Sequence, residues 1–483
     1  MIGSLSVLYI YPLNIESVGL AQTIINFGLF LSPFIGFSTN SLVIKFFDRN
    51  SKEPNSILIV TLFISLIYVI LFMTLYYVVI LPNLDSLSFL GYNPEIFKNN
   101  SSFIIAIGIC IVFITILNNQ SNNLHRAVIP NLFYNVGLKI FMPILILGSY
   151  FKLLGKQQIP IGILLFYICL LIVMIFYVKK LKGLPQKIDL TSLNNFNFRQ
   201  IFSYSIITGL TGLASIFATK IDIISIAGLK GLAEVGKYSL PFFIASLIEI
   251  PMGGIASISS PLIANHLNHN EYLELSILLK KASNALFLIG SLIFVLLYAI
   301  FVDLTFLSRK PEVFESGLEI FVVIGIAKMI DMATSLNSQT LNYSQYYAYN
   351  LYFVIITAIA NLFFTIYFTK YYGIVGTSYA ILFSIVLYNA LKSIILKIKL
   401  NLNPFSKSTF LILLILILQI VLVNLLKINF NPLINIVIKS IVVVFSFIFL
   451  TWIFKPSDDI DDLIFGSKGI FKNGLNLKKI IGL

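Results

Sequence analysis

Apolar runs of about 20 residues recur along almost the whole chain, the length a helix needs to cross the hydrocarbon core of a bilayer. Lipid cannot hydrogen-bond a backbone, so such runs must satisfy their own polar groups as helices. The runs fall at 1–13, 18–46, 57–82, 102–118, 127–150 and 159–178, then at 201–228, 237–264, 283–307, 316–337, 350–369 and 374–396, and last at 409–426 and 432–454. A basic linker, 179–200, separates the first six from the next six, and a polar break opens at 397 before the last two. The spacing predicts an all-α polytopic membrane protein of about 14 transmembrane helices. It divides into a six-helix lobe at 1–178, the cytoplasmic linker 179–200, a second lobe at 201–396, a break and two further helices at 397–454, and a cytoplasmic tail at 455–483. Composition agrees: 11% of residues are charged, against about 25% in a soluble domain. The first run is too short to span, and the expectation is a late start and a first helix that lacks its inner turns.

The net charge of +13 would suggest a nucleic-acid partner in a soluble protein, but here it is read loop by loop. With the N-terminus inside, Lys45, Arg49, Lys52, Lys179, Lys180, Lys182, Lys397, Lys399 and Lys407 all lie on the cytoplasmic side. Fewer basic residues, among them Lys98, Lys152, Lys156 and Lys230, lie opposite. This bias predicts an even number of spans with both termini cytoplasmic, and charge that serves topology and anionic headgroups. No loop is much longer than about 20 residues, whereas a catalytic domain needs ~100. Cys110 and Cys169 sit in apolar runs, and His125, His266 and His269 are scattered, so neither a disulfide framework nor a metal site is expected. There is no phosphate-binding Gly-rich loop and no nucleophile elbow. Asp458, Asp459, Asp461 and Asp462 read as a solvated charge run in the tail.

Two stretches echo each other. Ser17 to Phe37 overlays Glu234 to Gly254, which puts Gly19 on Gly236 and Gly36 on Gly253, with Pro33 and Pro251 one position apart. Halves built alike around interrupted helices, with charge hidden inside, mark a transporter. Pro33, Gly36, Pro251 and Gly253 are therefore hinge candidates at matching places. Polar residues fall into helical stripes: Gln22, Asn26 and Asn40; Asn131, Asn135 and Lys139; Thr208, Thr211, Ser215, Thr219 and Asp222; and Tyr238 with Glu249. Stripes that include ionisable groups should face a cavity or other helices and not lipid. Lys139, near mid-span with no acid three or four positions away, is the sharpest cavity candidate. Lys220 can line the cavity or snorkel outward, and its spacing from Asp222 does not make them a pair. Lys328 and Asp331 share a face and are expected to neutralise each other. Lys439 is expected to snorkel. Asp222 and Glu249 are candidates to bind a coupling Na+ or H+; Glu249 can instead salt-bridge a neighbouring lysine.

Three segments carry a family resemblance. YPLNIESVGLAQTIINFGLFLSPFIGFSTNSLVIKFF (Tyr11 to Phe47) resembles the first loop and second helix of Wzx-type polysaccharide flippases. NNQSNNLHRAVIP (Asn118 to Pro130) resembles the cytoplasmic approach to their fifth helix. KIDIISIAGLKGLAEVGKYSL (Lys220 to Leu240) resembles their connection from seventh to eighth helix, with an Asp, a Gly turn and a V-G-x-Y element. The resemblance covers about 1–400 and points to the multidrug/oligosaccharidyl-lipid/polysaccharide (MOP) exporter superfamily, and to no single substrate. It implies two pseudo-symmetric six-helix lobes forming a V around a central cavity, in the cytoplasmic membrane of a bacterium, and no enzymatic activity. It also implies a polyprenyl-diphosphate-linked oligosaccharide as substrate, with a polymerase and chain-length regulator of the same pathway as partners. Lys139, Lys220 and Lys328 would meet the diphosphate, and Asn26, Asn135, Thr211 and Ser215 the sugars. A cation-coupled multidrug antiporter and a peptidoglycan-precursor flippase remain alternatives within the superfamily; a membrane-embedded polysaccharide polymerase is the alternative outside it.

Overall fold

The computed structural model describes residues 6–37, 39–45, 56–83, 94–124, 126, 128–184, 198–307, 316–426, 428 and 430–456. Its regular elements are all helical. A π-turn (Ser6–Ile10) and a 3-10 turn (Tyr11–Asn14) lead into α1 (Ile15–Gly36), α2 (Thr39–Lys45), α3 (Ser56–Leu75), α4 (Pro94–Asn123), α5 (Val128–Tyr150) and α6 (Gln158–Lys180). There follow α7 (Phe198–Leu229), α8 (Leu232–Ser246), a 3-10 turn (Leu247–Glu249), α9 (Ile250–Asn268), α10 (Tyr272–Leu307), α11 (Gly317–Ala333) and α12 (Asn337–Tyr343). The last are α13 (Tyr347–Leu400), α14 (Lys407–Leu425) and α15 (Pro432–Phe454). Among the described residues nine helices are long and apolar enough to cross a membrane. The chain is an all-α polytopic membrane protein.

Several helices outrun the apolar segments that foretell them. α4 begins at Pro94 and α10 at Tyr272 because polar turns extend the backbone ladder beyond the apolar stretch. The segments 350–369 and 374–396 lie in α13, which is broken at Gly373 with φ 65° and ψ −149°. Only glycine enters that region without a Cβ penalty.

The helices cluster into two compact units, Met1–Ser239 with Ala358–Thr377, and Leu240–Thr357 with Ser378–Leu483. In the first unit α1 packs on α4 and α7, and α4 packs on α6. Small residues allow it: a Cβ on Gly28 would lie 2.8 Å from Ile107, and one on Gly108 would lie 2.7 Å from Ile35. Without a hydrophobic drive between helices in lipid, such close packing supplies the attraction. In the second unit α10 is the hub for α9, α11, α14 and α15. Phe294 and Phe321 stack with centroids 5.6 Å apart between α10 and α11. α7 and the start of α8 pack within the first unit, so division by packing falls later in the chain than the division by repeat at 179–200.

The glycines paired by the sequence overlay meet in space. A Cβ on Gly19 would lie 1.8 Å from the carbonyl oxygen of Leu232, and one on Gly236 would lie 2.6 Å from that of Ile15. Leu232 is four residues before Gly236, and Ile15 four before Gly19. Each glycine thus faces the carbonyl one turn ahead of the other, the reciprocal geometry of a local two-fold. Backbones this close leave room only for hydrogen on Cα and permit Cα–H···O contacts. Gly253 differs: a Cβ there meets nothing within 4 Å. Gly19→Ala and Gly236→Ala should each destabilise the protein by about 1–3 kcal/mol through overpacking. Gly253→Ala should be neutral or stabilising by about 0.4–1 kcal/mol. Thermal unfolding in detergent reads all three; equal midpoints for Gly19→Ala and the parent would contradict the contact.

Candidate functional site

Among the described residues, three separate clusters of ionisable groups are built around buried acids or lysines inside helical segments. The first lies where α7 returns as α8. Asp222 is buried, and the hydroxyl of buried Tyr238 donates to its Oδ2 at 3.2 Å. Lys220 is half-buried and close enough to be attracted by the Asp222 carboxylate. The V-G-x-Y element therefore places a tyrosine hydroxyl on the acid of the preceding helix.

The second cluster lies in the other unit. Lys328 on α11 meets Glu249 of the 3-10 turn at 2.6 Å. Asp331, one turn on, accepts instead from Asn389 Nδ2 at 2.6 Å. Lys328 and Asp331 lie within electrostatic reach of each other, as expected of residues that share a face, and each makes its direct contact with a partner on another segment. Asn389 Oδ1 in turn accepts from Thr334 at 2.8 Å. Three residues along α13, Lys392 is buried, donates to Ser338 Oγ at 3.0 Å and lies 3.8 Å from the centre of the Tyr388 ring. Tyr388 donates to Asn350 Oδ1 at 3.0 Å. Asp331 lies within electrostatic reach of Lys392, Lys328 and Glu249, so two acids and two lysines balance one another. Lys392, Asn389 and Tyr388 were not singled out in the sequence. Their signal is the three-residue step from Asn389 to Lys392 inside an otherwise apolar run.

In the third cluster Lys439 on α15 meets Asp303 Oδ2 on α10 at 2.5 Å, and Asn435 donates to Asp303 Oδ1 at 2.9 Å. Lys439 does not snorkel; a buried carboxylate holds it, and α15 with it, against α10.

Of the other candidates, Lys139 is exposed on α5, beside exposed Val136 and Ile140. Asn26 is buried and donates to the carbonyl of Gln22 at 2.7 Å, one turn back in its own helix. The side chains of Asn135, Thr211 and Ser215 lie outside the described residues, as do those of Asn40, Asn131, Thr208 and Thr219.

The two helix interruptions do not fall at matching places. α1 runs through Pro33, because Ser32 Oγ donates at 2.8 Å to the Leu29 carbonyl that the proline leaves free. The break comes after Gly36, at Phe37 with φ 22°. The Phe37 ring lies 5.5 Å from that of Tyr68 and fills the space where Gly209 lacks a side chain. In the second stretch the break is the 3-10 turn Leu247–Glu249, which precedes Pro251. Pro251 occupies the second position of α9, where its missing N–H has no intrahelical partner to lose. The first break thus follows its proline and the second precedes it.

A family model for polysaccharide biosynthesis proteins matches residues 6–267, more than half of the 483 residues. The chain belongs to the polysaccharide biosynthesis protein family. A comparison with curated proteins gives no match. Among solved structures, the lipid II flippase MurJ in an inward closed conformation superposes on this family member with a TM-score of 0.67 at 14% identity, covering 94% of this chain and 96% of that one. An inward-facing multidrug resistance MATE transporter of the MOP superfamily gives 0.63 at 16% identity, covering 83% and 94%. The fold is that of these two proteins. Among the described residues no group of three His, Cys, Asp or Glu is placed to hold a metal ion.

The third cluster gives a direct test of its energetics. Lys439→Met should destabilise the family member by about 3–5 kcal/mol, because it strands the Asp303 charge in an apolar setting. Adding Asp303→Asn should restore most of the loss, since no charge is then left unpaired. Thermal unfolding of the single and double variants separates this from simple loss of packing, which the second substitution would not repair.

Proposed function

We propose that this chain moves a polyprenyl-diphosphate-linked oligosaccharide, the repeat unit of an O-antigen, capsule or exopolysaccharide, from the inner to the outer leaflet of the bacterial cytoplasmic membrane. The observation that carries the reading is the polysaccharide biosynthesis family match over 6–267 on a flippase fold. In this reading about 14 helices form two pseudo-symmetric six-helix lobes, 1–178 and 201–396, in a V around a cavity, with both termini cytoplasmic. The reciprocal contact of Gly19 and Gly236 supports a two-fold relation between the lobes. A diphosphate entering hydrocarbon needs cationic partners; Lys139, Lys220 and Lys328 supply them, and Asn26, Asn135, Thr211 and Ser215 bond the sugars. The polyprenyl tail stays in lipid. The lobes alternate access by bending near Pro33 and Gly36 and near Pro251 and Gly253. Asp222 or Glu249 takes a coupling Na+ or H+, and the polymerase and chain-length regulator of the pathway receive the product.

Lys139→Ala should lower surface glycan at normal protein level, while Lys139→Arg retains more of it. Full export by both variants would remove Lys139 from the substrate path. In reconstituted protein, Asp222→Asn or Glu249→Gln should abolish the dependence on an ion gradient; unchanged dependence in both would show that neither acid couples.

A further inference from the structure

The 3-10 turn Leu247–Glu249 is fastened to its neighbours by two adjacent side chains of different kinds. Ile248 is fully buried. It reaches 3.4 Å from a Cβ built on Gly325 of α11 and 3.7 Å from one built on Gly290 of α10. It packs there beside Phe294, 2.6 Å from the Cβ built on Gly325, and Met332, 2.5 Å from that built on Gly290. Glu249, next in the chain, binds Lys328 at 2.6 Å. Gly325, Lys328 and Asp331 recur every three residues, so one face of α11 provides the Ile248 contact, the ammonium and the second acid. The Ile248 contact is apolar and permanent. The ion pair can be exchanged.

Its exposure also differs from that of the other buried pair. The Lys328 and Glu249 side chains retain 15% and 32% of their accessible surface, against 17% and 7% for Lys439 and Asp303. The Glu249 side chain is the more open of the two. Directly beyond it, Ile250, Gly253 and Gly254 are exposed, and Gly253 and Gly254 have nothing within 4 Å of a built Cβ. The first turn of α9 thus leaves the Glu249 flank of the pair uncovered, where an anion could compete with the carboxylate for the ammonium. A diphosphate carries more charge than a carboxylate and offers more acceptor oxygens, so it is the chemistry suited to this exchange.

We propose that Glu249 is a built-in counter-anion for Lys328 which the diphosphate of the substrate displaces, and that its release unfastens the turn ahead of α9. The proposal rests on the function proposed above for its choice of ligand. While the cavity is empty, Lys328 is neutralised at a depth where an unpaired ammonium is costly, and the turn is held at two points. When the diphosphate takes Lys328, Glu249 is freed and the turn is held by Ile248 alone. Substrate binding thereby loosens the segment between α8 and α9, and no covalent step is involved. Glu249 acts on specificity as well: an anion too weak to compete with a carboxylate leaves the turn fastened.

The test uses the full chain in lipid nanodiscs with a long-chain polyprenyl diphosphate as probe. The polyprenyl monophosphate and inorganic pyrophosphate are separate arms that distinguish lipid from phosphate recognition. Glu249→Gln removes the competing charge and should bind the diphosphate about tenfold more tightly, as expected if Lys328 is free only about a tenth of the time in the parent. Glu249→Asp, which shortens the tether but keeps the charge, should gain less and serves if the glutamine variant fails to fold. Glu249→Gln with Lys328→Met, a neutral pair, should bind more weakly than the parent. Hydrogen exchange over 247–254 should quicken in the parent on adding the diphosphate and be fast in Glu249→Gln before any addition. Unchanged or weaker diphosphate binding by Glu249→Gln and Glu249→Asp, with the parent binding normally, overturns this proposal and leaves the substrate reading standing. A parent that binds none of the three probes overturns both.

Discussion

Lipid offers no hydrogen bonds, and that one fact orders the interior of this protein. Every charge placed among the helices must find its partner within the chain or a ligand that takes the partner's place. Asp303 finds Lys439 and Asn435. Asp222 finds Tyr238, and Asp331 finds Asn389. Lys392 lies over an aromatic ring and against a serine. Hydroxyls follow the same rule on a smaller scale: Thr23, Thr61 and Ser291 each turn back to a carbonyl four residues earlier in their own helix. These bonds fix which faces of the helices meet, because a face that carries a charge can pack only where the countercharge is.

Where such pairs are well shielded they are fasteners. The Asp303 cluster ties α15 to α10, and Gln419 on α14 donates at 2.7 Å to Ser446 on α15. Asn284 accepts at 2.9 Å from Thr409 at the start of α14. The two last helices are thus bonded to the hub helix and to each other along much of their length. The Lys328–Glu249 pair differs in being open on its acidic side and in belonging to a helix break. A pair of that kind is suited to exchange partners during transport, whereas the buried one is suited to stay closed.

The apolar runs foretold where most of the described helices lie, because hydrophobicity sets them; polar turns such as Tyr272 to Ala282 moved boundaries, and the breaks inside 18–46, 237–264 and 316–337 were not foretold by hydrophobicity. The overlay of Gly19 on Gly236 was legible too, and the structure adds that the two glycines touch. Partners were not legible. Asp303 and Lys439 lie 136 positions apart, and nothing along either helix names the other. Lys328 and Asp331 share a helix face and lie within electrostatic reach of each other, yet each makes its direct contact with a partner on another segment. The break at Phe37 was hidden for a different reason. A positive φ is foretold by glycine, and here a phenylalanine adopts it, held by its ring against Tyr68 and the bare surface of Gly209. Of the lysines proposed to meet the substrate, Lys328 is the one that the structure places in a direct ion pair, with Glu249.

The function proposed above has Lys139 and Lys328 help carry a diphosphate headgroup across a bilayer. Its most direct test is a flipping assay in proteoliposomes that contain the purified chain and a fluorescent polyprenyl-diphosphate-linked sugar, with a membrane-impermeant quencher added outside. The account predicts that the labelled lipid becomes accessible faster in the presence of the protein, and more slowly when Lys139 and Lys328 are both neutralised. Movement no faster than in empty liposomes, together with gradient-driven efflux of an organic cation by the same preparation, would contradict it.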